Sequence, residues 1–190
     1  MEQFYQQHRD AVAFEVVSGG MITGARVGPI GEVAPYIRWA YKEVEARTGV
    51  TFGTAFLEEV LEDGRTVFSS IPPAVAMSVF AAHRPDDTVR FAGALQRAIY
   101  YDGLAPEDTA AYASLAEAFE IDGNMFVRQM EQPEFQAQAQ EDFRKTQQWG
   151  VSGFPTVLAE HNGSYYRLVS GYTPLENLES QFATLRSEAS

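Results

Sequence analysis

Cysteine is absent from the whole chain. Disulfide frameworks, thiolate metal sites and thiol nucleophiles are therefore excluded within these residues. Cations are scarce: 14 Lys and Arg stand against 26 Asp and Glu, a formal net charge of −12. That balance argues against nucleic acid, which needs clustered Lys and Arg, and against anionic membranes. No apolar run approaches the ~20 residues of a membrane span. Met1 to His8 lacks the basic and apolar regions of a signal peptide. These absences lead us to expect a soluble cytoplasmic protein with no nucleic-acid or membrane partner. The three histidines, His8, His83 and His161, share no ligand spacing with each other or with a carboxylate-rich pattern. No metal site and no cofactor are expected, and each histidine reads as solvated.

What the chain does have is apolar residues: 45% of it is hydrophobic and 13% aromatic, enough to bury a sizeable core. Its 190 residues suit one domain, or one domain carrying a large insertion. Met1, Phe4, Tyr5 and His8 have helical spacing. Val12 to Ser18 alternates around Phe14 and Val16 and reads as a strand, ended by Gly19-Gly20. A glycine-rich stretch follows to Gly31; its spacing does not fit a dinucleotide loop, so a turn is the better account. From Gly31 to Trp149 the reading is helical throughout. Apolar stripes lie at Val33–Val44, Phe52–Leu61, Val75–Phe80, Val89–Ile99, Tyr112–Phe119, Phe126–Met130 and Phe135–Trp149, separated by Gly, Pro and Asp signals. Ser69-Ser70 before Pro72-Pro73 reads as a helix cap, a substrate contact being the other reading. Glu58, Glu59, Glu62 and Asp63 read as one solvated helix face.

The most informative stretch is Gln148-Trp149-Gly150-Val151-Ser152-Gly153-Phe154-Pro155-Thr156. A β pattern follows it, then Asn162-Gly163, a second β pattern, Gly171-Tyr172 and a final amphipathic helix. Asn-Gly between alternating runs is a strong hairpin signal. A proline opening a strand removes a ladder donor, and X-Pro is the bond at which a cis peptide is inexpensive. Ser152 does not sit in a Gly-X-Ser-X-Gly elbow, because the second glycine comes one residue early. Nothing in the sequence joins a Ser, His and Asp into a triad, so no catalytic residue is assigned.

This pattern resembles the DsbA-like, FrnE-like branch of the thioredoxin superfamily over essentially the whole chain. The resemblance implies an α/β thioredoxin-like fold with a large all-helical insertion. Residues 1–29 and 150–190 would form the thioredoxin-like part, and residues 30–149 a strand-free helical subdomain shaping a groove. It implies a cis Phe154–Pro155 bond and a substrate-binding edge made of Ser152, Gly153, Phe154 and Pro155. Gly153 and Phe154 would offer free backbone groups to an extended substrate. The partner implied is a protein or peptide thiol or disulfide, or glutathione.

The family's chemistry uses Cys-X-X-Cys after a first strand, and this sequence contains neither cysteine. The expectation is therefore that about 20–30 residues upstream of Met1 would supply a strand and the dithiol, and that the chain as it stands is redox-inactive. Three functions fit: a thiol–disulfide oxidoreductase or protein disulfide isomerase, a glutathione-dependent transferase or isomerase of the same fold, and a redox-inactive peptide-binding module.

Overall fold

The structure is a computed structural model that describes residues 1–188. Helix α1 (Glu2–His8) is followed by an irregular stretch, with a short 3-10 helix at Gly24–Arg26, to a two-residue strand β1 (Gly28–Pro29). A 3-10 turn leads into α2 (Ala34–Thr48), and a π-helical turn spans Ala55–Leu61. Then come β2 (Val67–Phe68), α3 (Ile71–His83), α4 (Thr88–Tyr100), α5 (Thr109–Glu117), α6 (Gly123–Met130) and α7 (Pro133–Gln148). The chain closes with β3 (Thr156–His161), β4 (Ser164–Ser170) and α8 (Leu175–Glu188).

The helical middle is organised around α3, where Ala74 to Phe80 are buried in succession. A helix apolar on all sides belongs at the centre of its neighbours, and α3 packs on α4, α6 and α7. Phe80 stacks on Phe91 at 4.0 Å between ring centroids. Phe119 meets both rings edge-on. Helix starts follow the sequence signals: Asp108 accepts the Ala110 amide and Asp122 accepts the Met125 amide. Glu58, Glu59, Glu62 and Asp63 are exposed, with Glu62 held by Arg38 and Asp63 by Arg65.

A second, smaller core lies between the hairpin, α1 and α8. It consists of Phe4, Leu168, Val169, Leu178 and Phe182, with Val12, Phe14, Val157 and Ala159 packed on it. The hairpin pairs β3 with β4 antiparallel, with an irregularity between Val157 and Leu158. Its two-residue turn has Asn162 at φ 51° and Gly163 at φ 76°. This left-handed pair is the conformation that Asn-Gly supplies with least strain.

Three sequence expectations need correction. Val12 to Ser18 forms no strand and joins no ladder: residues 13–17 make no backbone hydrogen bond among the described residues. Alternation put its apolar side chains on the cores but supplied no partner strand. The middle of the chain is not strand-free, because β2 pairs with β1 through Gly28–Phe68 and Pro29–Val67. The contact is possible because Gly31 and Gly64 let two backbones meet; a β-carbon on Gly31 would lie 2.8 Å from the Gly64 carbonyl oxygen. The short helix read around Phe56 is present and winds as a π-helix, with the Glu62 amide bonding back to Leu57. His8 is not solvated: it lies between the Phe4 and Phe182 rings and pairs with Glu179 at 2.7 Å.

Candidate functional site

Helix α7 delivers the chain to Pro155 through a closed C-terminal cap. Gly150, at φ 64°, bonds from its amide to the Gln147 carbonyl, and the Val151 amide bonds to the Thr146 carbonyl. This is the Schellman pair, and its left-handed residue favours glycine. Trp149 packs on Tyr165 at 4.8 Å between centroids. Arg167 donates to the Trp149 and Gly150 carbonyls at 3.3 and 3.1 Å. Together these contacts tie the loop before Pro155 to β4.

The Phe154–Pro155 peptide is cis. Just beyond it, the Pro155 carbonyl accepts the Gly171 amide at 2.7 Å. The Thr156 hydroxyl donates to the Gly153 carbonyl at 2.8 Å. The amide and the carbonyl of Phe154 have no partner among the described residues, nor do the amides of Ser152 and Gly153 or the Ser152 hydroxyl. Ser152, Phe154 and Pro155 are exposed. The unpaired backbone groups thus lie on Ser152, Gly153 and Phe154, beside Pro155, whose carbonyl is taken by Gly171. One detail differs from expectation: the Gly153 carbonyl is already engaged by Thr156.

The floor of this edge is Gly19-Gly20. The Phe154 ring lies so close over Gly19 that a β-carbon there would fall inside the ring's contact shell. Gly20, at φ 64°, lies against Phe143 of α7; a β-carbon there would be 2.7 Å from Cγ of that ring. Asp142, the preceding residue on α7, is 7% exposed. Its Oδ2 accepts the Ser18 amide at 3.1 Å and its Oδ1 the Gln138 side-chain amide at 3.4 Å. Burial pushes the Asp142 carboxyl above its ordinary range, against the opposing pull of the Ser18 amide, Lys145 and Gln138. Lys145 in turn pairs with Glu15 at 3.2 Å.

The serines before α3 serve structure. Ser69 accepts the Ile71 amide, while Ser70 accepts the Ile22 amide and returns its own amide to the Ile22 carbonyl. Ser70 therefore ties down the stretch after Gly20 rather than capping the helix with its side chain. His83 bonds Gln129 and His161 bonds Asn162, both at the surface. Two concavities, of about 520 and 300 Å³, lie beside α1 and do not reach Pro155. With the Phe154 amide and carbonyl free, the stretch beside Pro155 offers a backbone edge on which an extended ligand can pair. Among the described residues no three His, Asp or Glu side chains are placed to hold a metal. No helix among them is long and apolar enough to cross a membrane.

A thioredoxin-type hairpin and helix behind a cis-proline, with helices packed between the two ends of the chain, define the class. The chain belongs to the DSBA-like thioredoxin domain family, whose sequence pattern matches residues 72–183. Among solved structures it is similar to the "putative protein disulfide isomerase" of Nitrosomonas europaea. The TM-score is 0.85 at 22% identity, over 100% of this chain and 89% of that one. It is also similar to the cytosolic disulfide reductase DsbM of Pseudomonas aeruginosa, with TM-score 0.78 at 23% identity over 98% of this chain and 88% of that one. The same reductase with GSH gives 0.76 at 22%, over 98% and 89%. At these identities the likeness establishes the fold. No curated protein sequence matches the chain.

Proposed function

We propose that this chain carries the substrate-binding side of DsbA-like thiol–disulfide chemistry, in the FrnE-like manner and in the cytoplasm. The edge at Ser152, Gly153, Phe154 and Pro155 receives an extended peptide bearing a thiol or disulfide, glutathione included. The observation that carries this reading is the unpaired amide and carbonyl of Phe154 beside the exposed Pro155. A peptide laid along that edge gains backbone hydrogen bonds of about 0.5–1.5 kcal/mol each. Support for a small thiol comes from the DsbM structure with GSH.

Exchange itself needs a thiolate to attack a disulfide sulfur, and the sequence holds no cysteine. We therefore propose that these 190 residues bind but do not exchange. The test has two arms. Titrating the 15N-labelled chain with glutathione, reduced and oxidised, should move the amides of Gly153, Phe154 and Thr156. Shifts confined to the concavities beside α1, or no shifts, would refute the site. In an insulin-reduction assay with dithiothreitol the chain should leave the background rate unchanged; acceleration would refute the redox-inactive reading.

A further inference from the structure

We infer that Asp142 is a positioning residue for this edge: by holding the Ser18 amide it seats Gly19 beneath Phe154, and so sets where the free backbone of residues 152–154 points. The inference rests on the proposed binding role of that edge, and its test separates the two.

A carboxylate inside a protein is costly unless hydrogen-bonded. An apolar residue would serve better if α7 needed only packing at this position. What a carboxylate adds is an acceptor, and the structure has an amide that needs one. Residues 13–17 make no backbone hydrogen bond among the described residues. After the Val12 amide bonds His8, the next backbone tie is Ser18 to Asp142 at 3.1 Å. The tie after that is the reciprocal pair between Ile22 and Ser70. Gly19 and Gly20 lie between these two anchors.

Helix α7 grips this stretch at three places. Lys145 holds Glu15, Asp142 holds Ser18, and the Phe143 ring lies against Gly20. The height of Gly19 follows from these grips, and the Phe154 ring rests directly on it. Phe154 is otherwise lightly held: it is 41% exposed, and the space beside Gly153 is open. Its ring and its free backbone groups belong to one residue. Movement of the floor therefore turns the edge that a ligand would meet.

The experiment compares the wild-type chain with Asp142→Leu, which removes the acceptor at similar size, and Asp142→Asn, which keeps an acceptor oxygen without the charge. Without ligand, the Gly19 Hα resonances should be displaced by the ring current of Phe154. In the leucine variant that displacement should collapse, and affinity for glutathione, the probe, should fall about tenfold, the scale of one charge-assisted hydrogen bond. Asp142→Asn should keep both. A leucine variant that keeps both the Gly19 signature and the affinity, or an asparagine variant that is folded yet loses as much, overturns the inference. If the wild-type chain does not bind glutathione, the binding reading falls, while the ligand-free Gly19 signature still decides the role of Asp142. If Asp142→Leu does not fold, Gly19→Ala displaces the ring directly. It should weaken glutathione binding with the Ser18 amide unmoved, and unchanged binding would overturn the inference.

Discussion

Tyr112 has no exposed surface, and its hydroxyl donates to the Pro106 carbonyl at 2.8 Å. Burial, with Glu107 and Asp108 nearby, drives its phenol well above the ordinary tyrosine range. A folded-state pKa above the unfolded one contributes stability that is complete below the unfolded value of about 10 and is lost as pH rises toward the folded value. Tyr112→Phe should thus lose about 1–3 kcal/mol at neutral pH, leaving a buried carbonyl without its donor. The gap to wild type should narrow above about pH 10, because only the wild-type chain then bears the cost of the buried phenol. Urea unfolding at both pH values measures it, and a constant gap would contradict the assignment. At this scale the sequence was only partly legible. Tyr112 showed as one apolar position in a helical stripe, without its bond to Pro106. Asp142 carried no signal, because its partner Ser18 is 124 positions away in sequence. His8 passed for a surface residue for the same reason, its partner Glu179 being 171 positions away.

Elements whose cause is local could be read in advance. The Asn162-Gly163 turn, the Asp122 cap and the helix end at Gly150 all depend on a few adjacent residues. The stretch Val12 to Ser18 could not be read correctly: alternation reports which face is apolar, whereas a strand also requires a neighbour. Likewise β1 and β2 arise from a meeting of Gly31 and Gly64 that no local pattern announces. The hairpin offers a direct check. Asn162 sits at φ 51°, a region that costs most L-residues roughly 1–2 kcal/mol. Asn162→Val should lower stability by about that amount, with the denaturant slope unchanged, whereas Asn162→Gly should be near neutral. Equal losses in both variants would place the cost in the side chain's bond to His161 rather than in the backbone.

At the scale of the whole molecule, apolar burial among the described residues falls into two unequal clusters. The larger holds α3 and its neighbours, and the smaller holds the hairpin, α1 and α8. The candidate site lies along the seam between them. Val16 and Phe143 belong to the larger cluster, and Val12, Phe14 and Val157 to the smaller. Few buried contacts, with backbone left unpaired at residues 13–17, are the physical signs of a unit that opens below the global free energy. Among the hydrogen-bonded amides, exchange should therefore be faster in β3, β4 and α8 than in α3. Phe182→Ala should accelerate exchange in the hairpin while leaving α3 protected. Phe80→Ala, made at a site with no exposure, should cost about 3–5 kcal/mol and lower protection everywhere. Uniform protection across both clusters, or an equal response of α3 to the two substitutions, would show that the molecule opens as one body. Ligand binding at Phe154 would then draw on the global stability. With two units, a ligand on the seam need only select among openings of the smaller one.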